Sequence, residues 1–207
     1  MAPFVQKQFH QSIMSKLNAV AVTGNLTVPS RTVVLARAIL AALESLRELN
    51  ATLIDLSAIG TNLVCAVRRE DVEPAVEEVL SATESADILI AVTPVYRGSF
   101  TGLFKHYFDL LDQDSLRDVP VILGATGGGR RHTLVVEYAL RPLFAFFGAH
   151  TVPTAIYAAD EDFDSGRALL PELVSRIREA ARQAVGLLGL SPVLAAQVPP
   201  LPFRLVP

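Results

Sequence analysis

Thr23-Gly24-Asn25-Leu26-Thr27-Val28-Pro29-Ser30-Arg31-Thr32 is the stretch from which the rest of the chain can be interpreted. It follows an apolar run that predicts a buried parallel strand at about Asn18–Val22, and it precedes an apolar-periodic segment that predicts a helix from near Ser30 to Leu49. A loop between a first strand and a first helix directs backbone N–H groups, hydroxyls and the positive end of the helix dipole at one place. This first loop (residues 23–32) therefore predicts a phosphate site.

The remaining chain alternates predicted strands with predicted helices, apart from residues 57–70, which have no clear period. The strands are expected at 51–56, 87–92, 120–124 and 151–157, and the helices at 72–85, 102–111, 132–147 and 165–188. This alternation is typical of an α/β three-layer sandwich, here with a five-stranded parallel sheet of order 2-1-3-4-5. In that order the loops after strands 1 and 3 flank one crevice, and the loop after strand 4 borders it.

Composition restricts the class of protein. The chain has 207 residues, of which 51% are hydrophobic, and its net charge is -3. That length favours a single domain, and the charge argues against nucleic acid or an acidic membrane as a primary partner. Cys65 is the only cysteine, so no intramolecular disulfide can form.

The two ends of the chain differ from its middle. Residues 1–16 are polar with scattered apolar side chains and predict an N-terminal arm, and residues 17–189 predict the folded domain. Residues 190–207 predict a Pro-rich tail that is extended or disordered. No continuous apolar segment suits a signal peptide, and no run approaches the ~20 apolar residues of a membrane span. We therefore expect a soluble cytoplasmic protein with no membrane partner.

The first loop carries many groups that can donate to a phosphate. They are the amide of Asn25, the hydroxyls of Thr27, Ser30 and Thr32, and the guanidinium of Arg31. Because the loop has one glycine, it matches neither the G-x-G-x-x-G fingerprint nor the Walker A loop, which disfavours a two-half Rossmann domain and ATP hydrolysis. On this loop alone, ordinary turn and cap residues remain an equal alternative.

Two further loops offer groups suited to a planar ring. The second loop (residues 93–102) supplies backbone groups and an aromatic face, with Pro94, Val95, Tyr96 and Arg97 as candidates. The third loop (residues 125–131) is rich in glycine, which lets the backbone approach a ring closely, with Thr126, Gly127 and Gly128 as candidates. His132 follows it and could touch a ligand. One phosphate loop and two ring loops at one crevice predict a mononucleotide, and FMN fits better than a dinucleotide.

Other catalytic arrangements are not visible in the sequence. There is no G-x-S-x-G elbow and no metal-spaced His or Cys cluster, and the four histidines are scattered. Lys105 and Asp109 lie four residues apart on a predicted helix, which predicts an ion pair. The acidic segment that includes Asp160, Glu161 and Asp162 is expected to be a solvated loop.

Several of these residues resemble a known family. Thr93-Pro94-Val95-Tyr96, followed by Gly102, Lys105 and Asp109, resembles the NAD(P)H-dependent FMN reductases of flavodoxin-like fold. Ala125-Thr126-Gly127-Gly128 with His132 resembles the branch that serves alkanesulfonate and methanesulfonate monooxygenases. So does Glu137-Tyr138-Ala139-Leu140-Arg141-Pro142, and together the similarity covers about residues 18–185.

The resemblance implies an activity and partners. It implies FMN and NAD(P)H as cofactors, hydride transfer to the flavin N5 and no required side-chain acid, so no catalytic side chain is assigned. It also implies that reduced FMN passes to an FMN-dependent monooxygenase, and that the protein is a homo-oligomer, either a dimer or a tetramer. Tyr138 would lie in an inserted π-type turn, near the flavin and a subunit interface.

The first loop departs from the family's usual G-S-x-R-x-x-S pattern. Gly24 and Ser30 match it, but Asn25 replaces the serine and Thr27 replaces the arginine. The loss of a cation predicts weaker flavin binding, which Arg31 would offset in part. Weak binding suits an enzyme that uses flavin as a substrate. Two alternatives remain: a flavin-retaining reductase of quinones, azo dyes or chromate, and a flavodoxin-like electron carrier without enzymatic activity.

Overall fold

The fold is an α/β sandwich built on one parallel sheet, seen in a computed structural model that describes residues 16–164 and 169–190. The strands are β1 (Leu17–Thr23), β2 (Leu49–Asp55), β3 (Ile88–Pro94), β4 (Pro120–Gly127), β5 (His150–Thr151) and β6 (Ile156–Ala159). Their order is β2-β1-β3-β4-β5, and β6 also pairs with β4. Every pairing is parallel, so the predicted fold class and strand order are confirmed.

Helices cover both faces of this sheet. They are α1 (Arg31–Glu44), α2 (Leu56–Cys65), α3 (Pro74–Glu84), α4 (Gly102–Asp109), α5 (Arg141–Phe146) and α6 (Pro171–Leu187). Alternate side chains of β1 enter opposite cores, because Val20 packs with the cluster of α3, α4 and α5, and Ala21 with that of α1 and α6. Burial on both faces explains why the central strands are continuous apolar runs.

The structure corrects several predicted element boundaries. The first helix ends at Glu44 instead of Leu49, because Leu49 begins β2 and pairs with Leu17 of β1. Residues 57–70, for which no element was predicted, contain α2, whose N-cap Asp55 accepts a hydrogen bond from the Ser57 N–H. The run Gly60-Thr61-Asn62 consists of poor helix formers and hides the helical period.

The last part of the sheet also differs from the prediction. The single strand expected at 151–157 is two short strands, β5 and β6, which both pair with β4 and are separated by a segment containing Pro153. The helix expected at 132–147 is three pieces: a 3-10 turn (Arg130–His132), a π-helix (Val136–Leu140) and α5. The inserted π turn expected around Tyr138 is therefore present.

Some predictions fall outside the described residues. The N-terminal arm lies there up to residue 15, and so does the Pro-rich tail from residue 191. The helix expected to begin at residue 165 begins at Pro171, and residues 165–168 lie outside the description. Within the described ranges, no helix combines the length and the apolar character needed to cross a membrane.

Candidate functional site

A cleft of about 640 Å³ lies at the carboxyl ends of β1, β3 and β4. This is the edge where ligands bind in open parallel sheets, at the point where the strand order reverses. The predicted residues that line it are Asn25, Thr27, Ser30, Arg31, Thr32, Pro94, Val95, Tyr96, Thr126, Gly127 and Gly128. Leu26, Pro29, Thr101 and Asp160 line it as well and were not predicted.

The start of α1 forms one end of this cleft. Ser30 is the N-cap, as predicted, and its hydroxyl accepts a hydrogen bond from the Thr32 N–H at 3.2 Å. The other N–H groups of the first turn lack partners within the helix and are available to an anion. The hydroxyls of Thr32 and Thr126 are 2.8 Å apart and buried, so they join α1 to the end of β4.

Asn25 holds the first loop against the end of β2. Its side chain is 3% exposed, and its Nδ2 donates to Asp55 Oδ1 at 3.0 Å and to Ser57 Oγ at 3.3 Å. Its Oδ1 is buried and accepts no hydrogen bond from any described residue. The amide therefore positions the loop and leaves one free acceptor beside the cleft.

Gly24 fixes the loop to the core. Its N–H donates to Val92 O at 2.8 Å, and its carbonyl accepts from the Thr101 hydroxyl at 2.8 Å. A Cβ at this position would lie 2.7 Å from Phe104 Cδ2 and 3.0 Å from Thr93 Oγ1. The close approach of the loop to α4 therefore requires glycine.

Arg31 is already paired with a carboxylate that also lines the cleft. Its guanidinium forms an ion pair with Asp160, and the two side chains are 46% and 47% exposed. Asp160 begins a 3-10 turn (Asp160–Asp162) directly after β6, and the Arg31 guanidinium also lies 5.8 Å from the Phe163 ring centroid. Arg31, which the sequence predicts as a phosphate ligand, is therefore already paired with a carboxylate of the same chain.

The rest of this acidic turn binds the third loop. Arg130 pairs with Glu161 and, at 2.7 Å, with Asp162, and these hydrogen bonds raise the pKa of Arg130. Asp162 is buried and also accepts the Ala159 N–H at 2.8 Å. The segment expected to be a solvated loop therefore connects the first and third loops through ion pairs to Arg31 and Arg130. The sequence contains one indication of this role. The acidic turn follows β6, and the carboxyl end of β6 lies at the same edge of the sheet as those of β1 and β4.

The second loop is a tight hairpin. Tyr96 and Ser99 exchange N–H···O bonds of 2.8 and 3.1 Å, and the two residues between them have positive φ, 53° at Arg97 and 84° at Gly98. This is the geometry of a type I′ turn. It leaves Tyr96 53% exposed at the cleft, with the Arg97 guanidinium 5.9 Å from its ring centroid and outside the cleft lining.

Tyrosines support the two ring loops from outside. Tyr157 donates its hydroxyl to Gly129 O at 2.6 Å, and a Cβ on Gly127 would overlap that hydroxyl. Burial, and after it the charge of Asp160, raise the pKa of Tyr157, so its phenol is protonated near neutral pH. A Cβ on Gly128 would meet nothing within 4 Å, so the lining is open there.

Tyr138 and His132, which were predicted as site residues, are not among the residues that line the cleft. Tyr138, on the π-helix, donates its hydroxyl to Gly98 O at 2.8 Å and is 57% exposed. It therefore ties the π-helix to the hairpin of the second loop. His132 ends the 3-10 turn that begins within the third loop at Arg130.

The remaining titratable candidates have structural surroundings. Lys105 and Asp109 form the predicted ion pair on α4, and His106 Nε2 lies 3.0 Å from Leu63 O. Cys65 is exposed at the end of α2. Among the described residues, no three His, Cys, Asp or Glu side chains are grouped to hold a metal ion.

Comparisons with known proteins identify the family of this chain. The family model for NADPH-dependent FMN reductases matches residues 17–164. The chain is 47% identical over 173 residues to the NADH-dependent FMN reductase SfnE of Pseudomonas putida, covering 84% of this chain and 93% of that protein. It is 45% identical over 175 residues to an FMN reductase (NADPH) of Pseudomonas aeruginosa, with 84% and 94% covered.

A solved structure gives the same result for the fold. An oxidoreductase from Corynebacterium diphtheriae superposes with a TM-score of 0.74 at 37% identity, over 85% of this chain and 99% of that one. One curated relative is named for NADH and the other for NADPH. The chain belongs to the NADPH-dependent FMN reductase family and is an oxidoreductase of flavodoxin-like fold whose cofactors are FMN and NAD(P)H.

Proposed function

We propose that the cleft binds FMN only weakly, that hydride passes there from NAD(P)H to the flavin, and that reduced FMN leaves for a partner monooxygenase of the sulfonate type. The observation that carries this proposal is the ion pair between Arg31 and Asp160. The first loop has Thr27 where the family usually has arginine, and the arginine it does have is neutralised by Asp160.

The residues of the cleft fit FMN. The first turn of α1, with Ser30 and Thr32, offers N–H and hydroxyl donors to a phosphate. The unpartnered Asn25 Oδ1 is an acceptor that a ribityl hydroxyl would satisfy. At the other end the lining at Gly128 is open to a flat ring.

We assign the ring end of the site to the second and third loops. Pro94, Val95 and Gly127 line the cleft, and Val95 is fixed by a hydrogen bond of 2.7 Å from its N–H to Thr126 O. Tyr96 presents an exposed aromatic face. Arg97, His132 and Tyr138 act from the rim, where Tyr138 holds the hairpin through Gly98 O.

The protein's part in the reaction is positioning. FMN, when bound, would supply the hydride-accepting chemistry, and the second and third loops would position its ring for the nicotinamide. The protonated Tyr157 phenol keeps Gly129 O in place. No side-chain acid is needed, so we assign no catalytic side chain.

Two features support the proposed partner and the proposed assembly. The motif at residues 137–142 resembles the branch that serves sulfonate monooxygenases, which supports an FMN-dependent monooxygenase as the recipient. The segment after the third loop exposes large apolar side chains, Leu134, Tyr138 and Phe146, which supports a homo-oligomer, either a dimer or a tetramer. We propose that it works in the cytoplasm.

Steady-state oxidation of NADH and NADPH, measured with and without added FMN, tests this function. We expect oxidation to depend on added FMN, and flavin to separate from the protein on gel filtration after turnover. Flavin that stays bound through turnover, with direct reduction of quinones, azo dyes or chromate, would replace the proposal with a flavin-retaining reductase. If the protein oxidises neither NADH nor NADPH, the remaining alternative is a flavodoxin-like electron carrier.

A further inference from the structure

Two opposite charges meet inside the cleft. Among the described residues that line it, Arg31 has the only positively charged side chain and Asp160 the only negatively charged one, and they are paired with each other. A phosphate entering at the start of α1 therefore meets a cation whose charge is already balanced and, next to it, a carboxylate of its own sign.

Both partners are placed by rigid elements. Arg31 is the first residue of α1, directly after the Ser30 cap. Asp160 follows β6, whose last residue, Ala159, is fully buried. The turn that begins at Asp160 is fixed by Asp162, which accepts hydrogen bonds from Ala159 N and Arg130. The pair is thus preorganised, and its separation requires a side-chain movement of Arg31.

We propose that Asp160 is an internal competitor of the flavin phosphate and sets how tightly phosphorylated flavins bind. Asp160 is paired with the Arg31 guanidinium when no phosphate is present. When a phosphate binds, the ion pair is broken or shared, and the Asp160 carboxylate repels the phosphate dianion. This cost falls on FMN and not on riboflavin, which has the same ring and ribityl chain without the phosphate. The inference rests on the proposed flavin site.

The test compares the Kd values of FMN and riboflavin, measured by flavin fluorescence during titration with protein. The variants are Asp160→Asn, Arg31→Gln and the double variant. Asp160→Asn should lower the FMN Kd by about fivefold, the upper range for one partly exposed ion pair, and should leave the riboflavin Kd unchanged. Arg31→Gln should raise the FMN Kd. When Asp160→Asn is added to Arg31→Gln, it should lower the FMN Kd by a clearly smaller factor than it does in the wild-type protein.

A matched control is available on another surface. Asp114 forms an exposed ion pair with Arg117 away from the cleft lining, so Asp114→Asn removes a similar pair and should change neither Kd. Asp160→Ser serves as a second variant, and thermal unfolding checks that each variant is folded.

Three results would overturn the role of Asp160. They are an FMN Kd that is unchanged or raised in both Asp160 variants, an equal gain for riboflavin, or the same gain with and without Arg31. Failure of the proposed function is distinguishable, because a wild-type protein that binds neither flavin contradicts the flavin site itself. A wild-type protein that binds both flavins, without a change in their ratio in Asp160→Asn, contradicts the competitor alone.

Discussion

The two ends of the cleft are held in place by different means. At the α1 end, Gly24 lets the first loop lie close against the core, and the charge of Arg31 is cancelled by that of Asp160, which follows β6. At the other end, the second and third loops are backbone turns, each held by a tyrosine hydroxyl, Tyr138 on Gly98 and Tyr157 on Gly129. The α1 end is therefore rigid and has no net side-chain charge, and the ring end is open at Gly128.

The largest expected effect is at Gly24. A Cβ there would meet Phe104 Cδ2 at 2.7 Å and Phe104 Cβ at 2.9 Å, and the buried ring has little room to move. Gly24→Ala should lower the free energy of unfolding by about 2 kcal/mol, as overpacking of a core does. Urea unfolding followed by circular dichroism measures it.

Gly128→Ala is the matched control for that substitution. No atom lies within 4 Å of the added methyl group, so the free energy of unfolding should change little. Equal losses in the two variants would contradict the contrast between a rigid end and an open end.

The second effect is at the cap of α1. Ser30→Ala removes the hydroxyl that accepts the Thr32 N–H and should cost about 1 kcal/mol of stability, typical of a lost N-cap. It should also raise the Kd of FMN more than that of riboflavin, because the hydroxyl lies at the phosphate end. Flavin fluorescence titration measures both.

The opposite end of α1 supplies the control for Ser30. Ser45 is the C-cap, and its hydroxyl donates to Ala42 O at 2.7 Å far from the cleft lining. Ser45→Ala should reduce stability without changing either flavin Kd. A rise in the FMN Kd in this variant would mean that helix stability, and not the Ser30 hydroxyl, controls flavin binding.

Features of the cleft that depend on local sequence could be predicted, and contacts between residues far apart in the chain could not. The strand order and most of the cleft follow from local patterns, since apolar runs followed by loops such as 23–32 specify which residues reach the sheet edge. The pair of Arg31 and Asp160 does not follow, because the two residues are 129 positions apart and meet only through the placement of β6 beside β4. The hydrogen bond from the Asn25 amide to Asp55 likewise cannot be predicted from local sequence, because it depends on how β1 and β2 pair.

A smaller effect is expected at Tyr138 on the ring end. Tyr138→Phe removes the hydrogen bond to Gly98 O at an exposed position, so stability should fall by about 0.5 kcal/mol, the lower range for one hydrogen bond. Because the hairpin borders the ring and not the phosphate, the Kd values of FMN and riboflavin should rise together. A change confined to FMN would place Tyr138 at the phosphate end and contradict the division of the cleft.

The smallest effect concerns the ion pair that spans the π-helix. Arg141 donates to both oxygens of Glu137, at 2.6 and 3.0 Å, and these hydrogen bonds lower the pKa of Glu137 below its ordinary value of 4.5. The pair therefore stabilises the fold at every pH above the unfolded-state pKa, which is close to that ordinary value of 4.5. This stabilisation disappears as the pH falls through the lower folded-state pKa.

Glu137→Gln should accordingly cost a few tenths of a kcal/mol at pH 7, the usual range for a helical pair that is partly exposed. The difference from wild type should shrink as the pH falls below 4.5. Urea unfolding of both proteins across this range measures the difference, and comparing them cancels the titration of all other carboxyl groups. A difference that stays constant with pH would show that the Glu137 charge does not hold the π-helix, and Arg141 would then anchor it through Thr151 Oγ1 and Val152 O alone.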